Sequence, residues 1–308
     1  MRAFHAYSSR PAQKWFGREQ PEGSCRFEDF ELLMTILSAL SWRRHNGSMK
    51  LYTDDACARY FEVRGLEGLW DDGIDTSALA GVRLDTNFSS FWAFAKTVAL
   101  AHERAPCVVM DMDLVVWKSI SHLYDADFMA IHSEPLDFQV YVPRDQMVAP
   151  PGYAWDDLDW TVTPCNAALL YFGSEPVRRL CADMGMQFMH NNPVSEEAGS
   201  MPTYGVFVEQ RLYPMCAARL GASIGHFLQD YHGTRLANGT ANTTFTHLWL
   251  YKRTLMSDAG TRAGLCRRMI DRLVAEYPDV ADVLPRIPEL GPYFRRGGVA
   301  ASPEVMIK

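Results

Sequence analysis

The chain's apolar residues fall into short blocks whose period switches between two and 3.6, with polar, proline- and glycine-rich breaks between them. Residues 2–8, RAFHAYS, read as a first strand, and SRPAQKWFGREQPEG as the loop after it. From Arg26 onward Phe27, Phe30, Leu33, Met34, Leu37 and Leu40 recur at helical spacing. MKLYTDD reads as a second strand with a short helix after it to about Arg64, and GVRLDT (81–86) as a third strand. SFWAFAKTVALAHERA reads as a helix with Ser89 or Ser90 as N-cap. CVVMDMDLVVW, from Cys107, has the β-branched content and length of one strand buried on both faces.

Beyond it, ADFMAIHS, LDFQVYV (136–142) and NAALLYFGS read as strands, with a helix after Glu175. Residues 143–160, PRDQMVAPPGYAWDDLDW, read as a long functional loop. TYGVFVEQRLYPMCAARLG reads as a helix and FTHLWLYKR (245–253) as a strand ending in a polar turn. A last helix is expected from Ala259 to Tyr277, and the tail from Pro288 carries little pattern. Strands alternating with helices in the first half predict βαβ units and a mostly parallel sheet. The expected fold class is therefore α/β, with a central sheet flanked by helices and a more mixed C-terminal half.

Composition narrows the function. The 308 residues are 48% hydrophobic and 22% charged, ordinary for a globular protein. The net charge of −7 excludes broad nucleic-acid binding, which needs a basic face. No uninterrupted apolar stretch reaches membrane-spanning length, and MRAFHAYSSRPAQKWFG lacks the apolar region of a secretory leader. Seven cysteines without CxxC spacing fit a reducing compartment. The expected location is cytoplasmic, so the four sequons at Asn46, Asn87, Asn238 and Asn242 carry no expectation of glycosylation.

The chemistry concentrates at Asp111 and Asp113. Ligands of open α/β sheets bind beyond the carboxyl ends of strands, and residues i and i+2 of a strand share a face. Two carboxylates on one face repel unless a cation joins them, and oxygen ligands suit Mg²⁺ or Mn²⁺. The alternative is that Asp113 caps the next turn while Asp111 is a solvated strand end. Lys96 lies among Phe91, Trp92, Phe94 and Ala95, so it needs an anion, either a carboxylate or a phosphate.

An apolar strand ending in DxD, preceded by the lysine-bearing helix FWAFAKTVALAH, resembles the GT-A nucleotide-sugar glycosyltransferases. PCNAALLYF (164–172), FVEQRLYP (207–214) and FTHLWLYKR follow in the order of that superfamily's glycogenin-like and bacterial galactosyltransferase-like members. Glu209-Gln210 stands where Asp-Gln is usual, and Ala167-Ala168 replaces a small-Gly pair.

The resemblance implies a Rossmann-like GT-A domain over 1–308, with a nucleotide-binding half at 1–118. A sugar and acceptor half would occupy 119–255, and a helical extension 256–308. It implies a hexosyltransferase moving sugar from a nucleotide-diphosphate donor, UDP-sugar favoured, to a carbohydrate or other hydroxyl acceptor, with retention favoured. Asp111, Asp113 and His247 would hold the Mn²⁺ or Mg²⁺, with Asp111 alternatively on the ribose. Tyr7, Ser8, Asp54, Lys96 and Lys252 would contact the nucleotide or its diphosphate. Asn166, Glu209 and Gln210 would line the sugar, with Glu209 or Asp157 as base if the reaction inverts.

Each residue also has a plainer role: a packed aromatic strand end for His247, solvated cations for Lys252 and Arg253, and a helix cap for Asp55. WDDLDW (155–160) is an acceptor loop or a surface acidic loop. Two other functions fit parts of the pattern. One is a haloacid-dehalogenase-like phosphatase with Asp111 as nucleophile and Asp113 as acid/base; the other is a non-catalytic sugar-nucleotide-binding protein.

Overall fold

The computed structural model describes residues 1–10, 23–82, 87–194, 203–228 and 243–295. Nine strands occur there: β1 Ala3–Ala6, β2 Met49–Tyr52, β3 Ile74–Asp75, β4 Cys107–Met110, β5 Leu114–Val116, β6 Phe128–Ala130, β7 Leu169–Phe172, β8 Ile224–His226 and β9 Phe245–His247. Seven form one sheet in the order β3-β2-β1-β4-β7-β6-β8, and β5 pairs with β9 in a second. In the large sheet every neighbouring pair is parallel except those of β7, which runs antiparallel to β4 and to β6. This is the expected α/β class, with a mostly parallel sheet. The inserted β7 brings its own N-terminal end, carrying Asn166, to the edge where β1, β4 and β6 end.

Helices cover both faces. On one side Asp29–His45 packs with the C-terminal helix Ala259–Glu276; on the other, Phe94–His102 packs with Glu175–Met189. The Asp29–His45 helix starts at a capping box: Glu31 Oε2 accepts the Glu28 N–H at 2.9 Å. Acidic Asp29 and Glu31 in its first turn, and Arg43, Arg44 and His45 in its last, complement the helix dipole. Gly185 lets Glu175–Met189 lie close to its neighbour, since a Cβ there would stand 2.7 Å from Thr97 Cγ2. None of the described helices is long and apolar enough to cross a membrane.

Several elements differ from the sequence expectation. CVVMDMDLVVW is two strands in two sheets, because the chain turns at Asp111–Asp113 and leaves the large sheet. The two aspartates therefore sit in a turn, not on one strand face. LDFQVYV is turn, not strand, and its Phe138 and Val140 are exposed. The helix expected from Ser89 or Ser90 begins at Phe94 after successive turns. FTHLWLYKR is strand only to His247, and a helix starts at Tyr251. The third strand is Ile74–Asp75; most of GVRLDT lies outside the described residues, as do Asn238 and Asn242.

Candidate active site

The turn Asp111–Asp113 is built from three directions. Asp111 N–H donates to Ala168 O at 2.8 Å, fixing the turn to the residue before β7. Leu248 N–H donates to Asp113 O at 3.2 Å, and β5 pairs with β9 so that Leu114 faces His247. The third support is a buried polar relay. Trp70 Nε1 lies 3.2 Å from His5 Nδ1; an indole N–H only donates, so Nδ1 accepts and the His5 proton is on Nε2. That N–H meets Ser38 Oγ at 3.0 Å, and Ser38 Oγ donates to Leu114 O at 2.6 Å. Burial lowers the His5 pKa to about 3, against a small opposing pull from Asp113, so the ring stays neutral.

Around this turn the charges are sorted by oxygen. Lys96 Nζ pairs with Asp111 Oδ1, and Lys252 Nζ with Asp113 Oδ2 at 2.9 Å. The remaining oxygens face one nitrogen. His247 Nε2 lies 3.8 Å from Asp111 Oδ2 and 3.4 Å from Asp113 Oδ1. One donor atom from each of Asp111, Asp113 and His247 lies within 4.8 Å of the others, and no second such cluster occurs among the described residues. His247 is buried, and neither ring nitrogen has a hydrogen-bond partner there. An unsatisfied buried imidazole beside two carboxylate oxygens fits a divalent cation with oxygen and nitrogen ligands.

The electrostatics agree with that arrangement. Burial pushes the Asp113 pKa up, but the Lys252 charge, with His247 beside it, holds it well below the ordinary range. Burial pulls Lys252 down while Asp113 and Glu31 raise it, to about 12 overall. Lys96 also reaches Glu209 Oε2 at 3.2 Å. Its pKa is raised because the Asp111 and Glu209 charges outweigh burial. Glu209 is 2% exposed; burial lifts its pKa, Lys96 pulls it back and Asp111 adds to the rise, leaving it at about 7.

The other expected residues have varied engagements. Tyr7 packs against Phe27, ring centroids 5.0 Å apart. Asp54, not Asp55, caps the helix Asp55–Glu62 through Cys57 N–H. Its second oxygen accepts from Ser8 Oγ, Ser9 N–H and Ser9 Oγ, at 2.6–3.0 Å. Asp54 thus ties the end of β1 to that of β2, and burial is outweighed by these bonds, which lower its pKa.

Asn166 accepts the Ala168 N–H at 3.0 Å and donates to Glu134 at 3.4 Å. Gln210 accepts the Tyr141 hydroxyl at 2.8 Å. Asp157 is exposed and paired with Arg219 at 2.7 Å. Lys96, Asp111, Asp113, Glu209, His247 and Lys252 therefore converge, while Asp157 is held elsewhere by its arginine.

Ser38, Trp70 and Glu31 support the site without standing out in the sequence. The capping glutamate Glu31 lies 3.9 Å from Lys252 Nζ. Its N-cap partner is Glu28, where the sequence signature of a capping box has a short polar residue, so the spacing did not mark it.

No protein-family profile and no curated protein matches the chain. Solved structures similar to it include the PaToxG glycosyltransferase, at 8% identity and TM-score 0.38, covering 71% of this chain and 69% of that one. An active-site mutant of LgtC matches at 12% identity and TM-score 0.38, covering 80% of this chain and 86% of that one. The galactosyltransferase LgtC in complex with donor and acceptor sugar analogues matches at 14%, with TM-score 0.37 and the same coverage.

Proposed function

We propose that the protein is a metal-dependent glycosyltransferase of GT-A type, moving a sugar from a nucleotide-diphosphate donor to a hydroxyl acceptor. The observation that carries this reading is the division of the aspartate oxygens. Two are held by lysines, and two converge with an unsatisfied buried histidine. A metal held by Asp111, Asp113 and His247 would supply Lewis-acid stabilisation of a departing diphosphate. Retention, a UDP donor and Mn²⁺ or Mg²⁺ as the ion belong to the same proposal and rest on the sequence resemblance. So does the division into a nucleotide half at 1–118, a sugar and acceptor half at 119–255 and a helical extension beyond.

The chain's own groups do the rest. Lys96 and Lys252 stand on either side of the cluster, supplying positive charge where phosphate oxygens would carry negative charge. Glu209 holds Lys96 from behind, so the lysine is pre-oriented before a donor arrives. Tyr7 and Ser8 end β1 on the nucleotide side, and Asn166 and Gln210 face the sugar side.

A thermal-shift panel of UDP-, GDP-, CMP- and dTDP-sugars with and without Mn²⁺ tests the reading. Stabilisation by one sugar nucleotide, dependent on the metal and accompanied by chelator-sensitive donor hydrolysis, is expected. Metal-dependent binding without turnover would point to the non-catalytic protein. Release of phosphate from simple phosphomonoesters in place of donor hydrolysis would point to the phosphatase.

A further inference from the structure

Away from the donor side, one buried charge has no counter-charge. Arg211 is 2% exposed. Its Nη2 donates to Trp160 O at 2.7 Å, and its guanidinium lies 5.0 Å from the Trp160 ring centroid. Nε and Nη1 have no hydrogen-bond partner, and no carboxylate pairs with the guanidinium among the described residues. A guanidinium carries five donors in a fixed fork and stays charged in proteins. Burying it with most of them unmet is costly. Burial pulls its pKa down, with Tyr141 acting weakly the other way.

Acid is not lacking nearby. Asp156 pairs with Arg144 at 2.6 Å, Asp157 with Arg219 at 2.7 Å, and Asp159 accepts from the Thr161 hydroxyl at 2.6 Å. All three aspartates of WDDLDW are engaged elsewhere. What covers Arg211 is Trp160: its carbonyl takes one donor, and its ring, on a partly buried residue, stacks on Phe207 at 5.7 Å and 16°.

Arg211 itself sits on the π-helical turn Phe207–Leu212, whose neighbours Glu209 and Gln210 engage Lys96 and Tyr141. Such turns recur at functional sites. The arginine is thus on a fixed element, and the tryptophan on a surface loop.

We propose that Arg211 is the floor of an oxyanion subsite closed by Trp160, and that it binds a carboxylate or phosphate group of the acceptor. The Trp160 carbonyl holds the place of one anion oxygen until the loop lifts, and a bidentate oxyanion then meets the open donors. The proposal rests on the transferase reading only in naming the acceptor as the anion's carrier.

The test uses the full chain with EDTA and no donor. Inorganic phosphate and, separately, acetate are titrated while tryptophan fluorescence and calorimetric heat are followed, with chloride as the ionic-strength control. A saturable response to phosphate, acetate or both is expected, and which probe acts identifies the group. Arg211→Met should weaken it at least 10-fold without lowering the melting temperature, because it removes an unpaired buried charge. Trp160→Ala should tighten it several-fold. An Arg253→Ala variant, which removes an exposed cation next to Lys252, should keep it, which separates this subsite from surface cations on the donor side.

No saturable response in the wild type, an undiminished one in Arg211→Met, or loss in Arg253→Ala would overturn the proposal. Since neither metal nor donor is present, a chain found to transfer no sugar would leave the anion result standing.

Discussion

Asp113 occupies the most demanding position in the site. One oxygen meets Lys252 at 2.9 Å and the other faces His247 at 3.4 Å. Removing it deletes one of the three proposed metal donors and leaves the half-buried Lys252 with only Glu31 nearby, at 3.9 Å. Asp113→Ala should therefore abolish Mn²⁺-dependent donor binding, beyond the roughly 100-fold that changes around a ligand cost, while far-UV circular dichroism stays unchanged. Wild-type donor affinity in calorimetry would count against the metal site.

Glu209 makes a separate prediction from pH. Its folded pKa of about 7 lies above its ordinary 4.5, so the folded metal-free protein takes up a proton that the unfolded chain has released. The stability this confers is complete below about pH 4.5 and is lost as pH rises through about 7. Glu209→Gln removes that dependence. The stability of wild type relative to the variant should fall by up to about 3 kcal/mol between pH 4.5 and 8. Parallel profiles in urea titrations with EDTA would place the ionised carboxylate in the folded state throughout.

The turn that carries the aspartates is stable because the helix Asp29–His45 reaches it with serines. Ser38 Oγ bonds Leu114 O and Ser41 Oγ bonds Val116 O, each at 2.6 Å, so the small β5–β9 sheet is fastened to that helix. Ser38→Ala leaves His5 Nε2 and the Leu114 carbonyl unmet in the interior, at a cost of about 1–3 kcal/mol. Urea unfolding should show that loss, and Mn²⁺ titrated against free-ion electron paramagnetic resonance should show affinity down about 10-fold. Equal affinity would mean that the turn keeps its shape without the relay.

Little of this support was legible in the sequence. The period of the apolar residues located most elements, and the acidic pair in an apolar run marked the site. A local pattern, however, does not record that the run breaks at the aspartates into strands of two different sheets. Nor does it show that β7 enters antiparallel beside β4. Lys96 was expected to seek an anion, but its choice of both Asp111 and Glu209 depends on packing across 113 residues of sequence. LDFQVYV has strand composition and remains a turn, since propensity gives way to tertiary context.

At the scale of the molecule, the C-terminal helices share one core with β1, β2 and the helix Asp29–His45. Cys266, Met269, Ile270 and Leu273 are buried in the same cluster as Phe30, Leu33 and Trp42. Polar ties reinforce it: Arg262 reaches Asp29 at 2.7 Å and Glu28 at 2.6 Å, Tyr293 bonds Asp29, and Arg64 and Tyr60 bond Glu289. Arg262 thus straddles the first turn of the helix whose Glu31 approaches Lys252 and whose Ser38 fixes the aspartate turn. If residues beyond 258 are integral to the fold, breaking this pair must weaken the whole cooperative unit.

Arg262→Met, Asp29→Asn and their combination form a double-mutant cycle. The partners are mostly buried and charge-assisted, so a coupling energy of about 1–3 kcal/mol is expected from urea unfolding, with a single transition in every variant. Additive losses, or a separate early transition carrying the C-terminal helices, would show those helices to be an appended unit with no part in holding the site.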